Sequence, residues 1–132
     1  LLLGALTGHH SLRELHINEA DSTMHDCSAF GGALGALIAA DAPALLVINC
    51  SGNSLGDAGL APIVDALTRN CHLRELDLSR NGMSEAFARE RLLPAVRANI
   101  SLRELLCVHE GDEPVPAAAE AEELVCLREQ HG

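Results

Sequence analysis

Residues 73–83 read LRELDLSRNGM, and the spacing within this stretch decides the fold. Leu73, Leu76 and Leu78 hold its first, fourth and sixth positions, Asn81 the ninth and Met83 the eleventh. Alternation over Leu76 and Leu78 puts both side chains on one face of a short strand, while Glu75, Asp77 and Ser79 face the other way. Asn81 is suited to closing the strand, because its amide can bond backbone groups that a bending chain leaves unpaired. One such unit cannot bury its own apolar face, so the pattern requires stacked copies of itself.

The copies are present. Motif starts fall at Leu12, Leu45, Leu73 and Leu102, in steps of 33, 28 and 29 residues. The first unit supplies Leu12, Leu15 and Ile17, the second Leu45, Ile48 and Cys50, and the fourth Leu102, Leu105 and Cys107. Between the motifs the apolar period changes from 2 to about 3.6. Phe30, Leu34, Leu37 and Ile38 share one helical face, as do Leu60, Ile63, Val64 and Leu67, and, less regularly, Phe87, Leu92, Leu93 and Val96. Asp57 and Ser84 are predicted N-caps. Pro62 and Pro94 fall within their segments and predict short or kinked helices.

These spacings divide the chain into one repeat domain over 1–132. Residues 1–10 are read as the end of a preceding repeat, because Leu2, Leu3 and Leu6 stand where Leu92, Leu93 and Val96 stand before the next motif. Full repeats are expected over 11–42, 43–71 and 72–100, a last strand over 101–109, and an acidic C-terminal cap over 110–132. Within the cap Ala117 to Gln130 is predicted helical, with Ala121, Leu124, Val125 and Leu127 covering the edge of the last unit. A chain that opens inside an apolar pattern without an initiator Met reads as the C-terminal part of a longer protein.

Composition narrows the function classes. The chain has 132 residues, 48% of them hydrophobic, which is enough for one folded domain and argues against disorder. The longest apolar run is far shorter than a membrane span requires, and no signal peptide is visible. Nineteen acidic residues face nine basic ones, all Arg, for a net charge of -10. Such a balance disfavours nucleic acid and anionic membranes as partners. From Glu110 onward seven acidic residues face one Arg, so most of the charge sits in the tail.

The strand–helix unit of 28 to 29 residues resembles the ribonuclease-inhibitor-like class of leucine-rich repeats. The residues that carry the resemblance are LRELHI (12–17), the stretch from Leu45 to Asn53, LRELDLSRN (73–81), LRELLCV (102–108) and the helical segment GDAGLAPIVDAL (56–67). The resemblance implies a curved α/β solenoid with parallel strands on the concave face and helices on the convex face. It also implies presentation of the concave sheet to a protein partner. Members of the class include ribonuclease inhibitor, Ran GTPase-activating proteins and nucleotide-binding immune receptors. Two places depart from the pattern: Ala20 and Ser22 replace Asn and Leu in the first unit, and Glu110 and Asp112 do so in the fourth.

In this register the concave residues are Glu14, His16 and Asn18, then Val47, Asn49 and Ser51, then Glu75, Asp77 and Ser79, then Glu104, Leu106 and Val108. Glu14, His16, Asn18, Asn49, Ser51, Glu75, Asp77 and Glu104 are the candidate partner-binding set. Arg13, Arg74 and Arg103 are expected at the rim. The alternative is a solvated strand face with no ligand. Four strands about 4.8 Å apart with three exposed residues each cover on the order of 300 Å², against about 800 Å² per partner in a standard interface. Binding is therefore expected from a longer array. The loop Glu19–Ser28 (EADSTMHDCS) is either a contact or a tolerated insertion.

Other chemistry finds little support. His25 with Cys27, Cys71 with His72, and Cys107 with His109 lack C-x-x-C spacing, so no metal or cofactor is assigned. Cys50 and Cys107 occupy the buried sixth motif position as small hydrophobes, about 10 Å apart, too far for a disulfide. Five free thiols favour a reducing, cytoplasmic setting. No GxSxG, P-loop or HExxH motif is present, and no catalytic residue or small-molecule substrate is assigned. The expected function is protein–protein interaction. The alternatives are a regulatory GTPase-activating role and a purely structural end to the array.

Overall fold

The computed structural model describes residues 12–17, 27–108 and 115–131. Four three-residue strands, β1 (Glu14–His16), β2 (Val47–Asn49), β3 (Glu75–Asp77) and β4 (Glu104–Leu106), lie parallel in the order β1-β2-β3-β4. Each crossover is helical: α1 (Cys27–Ala39), α2 (Gly56–Ala66) followed by a 3-10 turn (Leu67–Arg69), and a run comprising α3 (Glu85–Phe87), a wide π turn (Ala88–Leu92) and α4 (Leu93–Ala98). The last helix, α5 (Pro116–His131), packs on β4 and α4. This is the expected leucine-rich-repeat architecture, an α/β solenoid with strands in one layer and helices in the other.

The core is the repeating leucine lattice. Leu45, Ile48 and Cys50, then Leu73, Leu76 and Leu78, then Leu102, Leu105 and Cys107 are all buried. The predicted helical faces close on them, with Leu34, Ile38, Leu60, Ile63, Val64, Leu67, Leu92 and Val96 at 0% exposure. Two asparagines hold the bend after the strands. The Asn81 amide nitrogen donates to the carbonyls of Cys50, Leu78 and Ser79 (3.0, 3.0 and 3.2 Å), and its oxygen accepts from the Asn53 and Leu55 N–H groups. Asn53 repeats this one unit earlier, donating to the Ile17 and Cys50 carbonyls.

A second amide pair binds the other end of the strands. Asn99 donates to the Leu67 and Asn70 carbonyls and accepts from the Ser101 and Leu102 N–H groups. Asn70 donates to the Ile38 carbonyl and accepts from the His72 and Leu73 N–H groups. Both are buried. The sequence signal was available as NCHL (70–73) and NISL (99–102), an Asn three residues before each motif start.

Local chemistry explains the helices, with one correction. Ser84 caps α3 as predicted, its Oγ accepting from the Phe87 N–H. Asp57 is no cap of its own helix. It sits inside the first turn of α2, and its carboxylate accepts from the Ser84 N–H (2.9 Å) and Oγ–H (2.6 Å) of the next unit. An Asp in the first turn faces orphan N–H groups and a positive dipole end, but here the carboxylate is taken up by the two Ser84 donors. Pro62 lies inside α2. Pro94 is the second residue of α4, just beyond the π turn, which the Leu93 N–H closes by reaching back to the Ala88 carbonyl. Widening the turn there relieves the clash a proline ring makes with the preceding turn.

The edge of the sheet is closed by α5. At inner strands the N–H just past the strand bonds the next strand's carbonyl, as Cys50 does to Asp77 and Leu78 to Leu106. At β4 the Glu122 carboxylate takes that place, accepting from the Cys107 and Val108 N–H groups. Ala117, Ala118, Ala121 and Val125 bury the apolar side of α5, with Leu124 partly buried. Leu127 was expected in this set but is 43% exposed, because it lies beyond the helical stripe defined by 118, 121 and 125. Glu85 and the arginines of the preceding helical run anchor the rest. The Glu85 carboxylate accepts from the Ala117 N–H, and Arg89 and Arg97 each lie 3.7 Å from Glu120.

Candidate functional site

Strand register aligns the concave side chains into columns. Glu14, Val47, Glu75 and Glu104 are paired in one row across the sheet, and His16, Asn49, Asp77 and Leu106 in the next. The residues between them, Ile48, Leu76 and Leu105, are buried beneath. Glu14, Glu75 and Glu104 are exposed, so three carboxylates line one edge of the open face. Asn18 and the loop 19–26 lie outside the described residues, and Cys27 and Ser28 open α1.

The second column is less available than the sequence implied. Asn49 Oδ1 accepts from the Ser51 N–H and Oγ–H at 3.0 and 2.9 Å. Asp77 Oδ1 does the same for Ser79 at 3.0 and 2.6 Å. Both side chains thus cap the turn that follows their own strand, a local competition typical of Asx residues. His16 Nε2 lies 2.9 Å from Glu14 Oε1 on the exposed surface. Such a pair contributes little to stability, and nothing around it excludes water from reactive chemistry. Leu106, 43% exposed, adds an apolar spot beside Asp77.

This face is hollowed in places. A shallow hollow of about 110 Å³ is bordered by His16, Asn49, Asp77 and Leu106. A larger groove of about 520 Å³ runs between the sheet and α5, lined by Arg74, Glu75, Arg103, Glu104, Glu122 and Cys126. Its mixed charge comes from the alternation of Arg and Glu in the LRE segments (73–75 and 102–104). Arg103 is turned partly inward, donating to the Ile100 and Leu102 carbonyls.

The cysteines divide by position. Burial pushes the Cys50 thiol up to about 12, with the nearby Asp77 charge adding to it. The same burial, with Glu122 next, holds Cys107 well above its ordinary value. Both are protonated spacers in the core. Cys71 and Cys126 are exposed and free. Asp41, the last polar residue before the second motif, is carried by the crossover to the Cys71–His72 pair. Its Oδ1 accepts from the Cys71 N–H at 2.8 Å and lies 2.8 Å from His72 Nδ1, and its Oδ2 lies 3.3 Å from Cys71 Sγ. The backbone N–H, His72 and the thiol outweigh the cost of its desolvation, and the carboxyl is held below its ordinary value. The pairs His25–Cys27 and Cys107–His109 fall partly outside the described residues.

A profile for the leucine-rich-repeat family matches residues 69–85, the segment around the most regular motif. No curated protein matches the chain. Among solved structures, the chain is similar to leiomodin-1 actin-binding site 2, with a TM-score of 0.58 at 11% identity. That alignment covers 98% of this chain and 87% of the other. At this identity the similarity is one of fold. No helix among the described residues is long and apolar enough to cross a membrane.

Proposed function

We propose that this chain is a protein-binding repeat module that presents its concave sheet to a partner. The observation that carries the reading is the row of exposed carboxylates, Glu14, Glu75 and Glu104, held in register by the strand pairing. A backbone fixed on a rigid lattice loses little further entropy on binding. The partner surface that complements them is basic, with an apolar contact for Leu106. Four strands offer on the order of 300 Å², so the module acts within a larger interface. Repeat steps of 28 and 29 residues with helical crossovers support assignment to the ribonuclease-inhibitor-like class. Free exposed thiols at Cys71 and Cys126 fit a reducing, cytoplasmic setting.

The neighbour's description as an actin-binding site supplies a first defined probe. Co-sedimentation with filamentous actin, and quantitative affinity enrichment from cell extract, are compared for the unmodified protein and the triple variant Glu14→Arg, Glu75→Arg, Glu104→Arg. Partners that bind the concave face should be lost from the variant while its circular dichroism is unchanged. A variant that keeps every partner would show that binding, if any, uses another surface.

A further inference from the structure

We propose that Asp41, Cys71 and His72 form a binding site for one zinc-like divalent cation. The three side chains come from two successive crossovers, 30 residues apart in sequence, and converge at the ends of the strands opposite the Asn53–Asn81 bend. Asp41 is held there by its backbone, which takes the left-handed conformation (φ 56°) just after α1, and by the Cys71 N–H bonded to its Oδ1.

The donor set decides the class of ion. One thiol, one imidazole and one carboxylate are the three ligand types zinc takes, and thiolate selects against magnesium and calcium. One ligand atom from each residue lies within 4.8 Å of the others. The separations are 3.8 Å for Cys71 Sγ to His72 Nδ1, 2.8 Å for His72 Nδ1 to Asp41 Oδ1, and 3.3 Å for Cys71 Sγ to Asp41 Oδ2. Ligands around a tetrahedral zinc, at ordinary bond lengths, stand about 3.4–3.6 Å apart. The nitrogen–oxygen pair is shorter because a proton now lies between them, and it opens by roughly half an ångström when a metal replaces that proton.

Charge balances as well. Binding releases the Cys71 thiol proton to solvent and moves the His72 proton from Nδ1 to Nε2, leaving a thiolate, a carboxylate and a neutral imidazole around a dication. Asp41 and His72 are only partly exposed, with side chains 29% and 36% accessible, whereas Cys71 faces solvent. The fourth position is therefore open to water or to a side chain of a bound partner. A catalytic cysteine is the poorer reading of the same cluster. The thiol donates to Asp41, which raises it above its ordinary value and keeps it protonated.

Cobalt(II) is the probe, because a bound thiolate gives a charge-transfer absorption. Titration of the full chain should produce that band, saturating at one ion per chain and abolished by excess zinc. Cys71→Ser keeps a donor for Asp41 and should eliminate the band, and Cys126→Ser should leave it intact. Asp41→Asn and His72→Ala should each weaken zinc by more than about tenfold, the least that loss of even an outer partner costs. Zinc should also protect one thiol of the unmodified protein from alkylation, identified by mass as Cys71. Absence of the band, its persistence in Cys71→Ser, or alkylation of Cys71 unaffected by zinc would overturn the assignment.

Discussion

At Asn81 one side chain serves five backbone groups, three carbonyls and two N–H groups, while remaining 1% exposed. Only glutamine carries the same two-donor head and acceptor, and its extra methylene sets them farther from the backbone. Alanine leaves several of these groups unpaired in the interior, at about 1–3 kcal/mol each where water cannot reach. We expect Asn81→Ala to lower unfolding free energy by at least about 3 kcal/mol, read from urea midpoints at constant slope. Aspartate should be no better, because it lacks the two donors and buries a charge among carbonyls. The ninth motif position was legible in the sequence. The amide pair Asn70 and Asn99 was less so, since each stands outside the strand motif and the carbonyls it bonds lie one unit away.

At the scale of elements, helix packing depends on missing side chains. A Cβ on Gly31 would lie 1.8 Å from the Gly59 carbonyl oxygen, and one on Gly35 2.6 Å from that of Pro62, so α1 and α2 meet backbone to backbone. Gly32, on the same helix, has nothing within 4 Å. Gly31→Ala should therefore destabilise by about 1–3 kcal/mol despite alanine's better helix propensity. Gly32→Ala should instead stabilise by about 0.5–1 kcal/mol. Thermal melts of the two variants, run side by side, separate packing from propensity. Glu122 makes the parallel case for the sheet edge. Replacing it with Ala strands the Cys107 N–H against the core and should cost about 1–3 kcal/mol, with amide exchange at Cys107 accelerated beyond the global change. The cap helix itself was expected from composition and spacing, whereas its Glu122 contact was not, because an acid on a helix is ordinarily a solvated face.

For the whole molecule, charge sets two opposing trends with pH. The net charge of -10 at pH 7 repels itself, and that repulsion eases as pH falls toward the isoelectric point near 5.0. Against this, the Ala117 N–H, and after it Arg89, hold the Glu85 carboxyl below its ordinary value. A carboxyl lowered on folding contributes stability above its unfolded value, and that contribution is lost as pH falls through the folded one. Urea midpoints should hold or rise from pH 7 to about 5 and fall below about 4. Glu85→Gln should flatten the acid limb, and circular dichroism should show the loss as undocking of α5. An acid limb unchanged in that variant would place the sensitivity elsewhere.

Residues alone were enough for the solenoid, its strand register and the two concave rows that begin at Glu14 and His16; Ser79, expected to face outward with them, is buried. These follow from local periodicity: the alternation over Leu76 and Leu78 suits a strand buried on one face, and its repetition requires stacking. Glu14, Glu75 and Glu104 were placed by counting along the motif. Tertiary structure alone decided which polar groups meet across units. Asp57 serves Ser84, Glu122 serves Cys107, Glu85 serves Ala117, and Asp41 joins Cys71 and His72. Three of these pairings join neighbouring units, 27 to 32 residues apart, and Glu122 reaches Cys107 across 15; the repeat period sets units side by side but does not say which polar side chains meet there. Only folding, by setting successive crossovers side by side, brings the partners within hydrogen-bonding range.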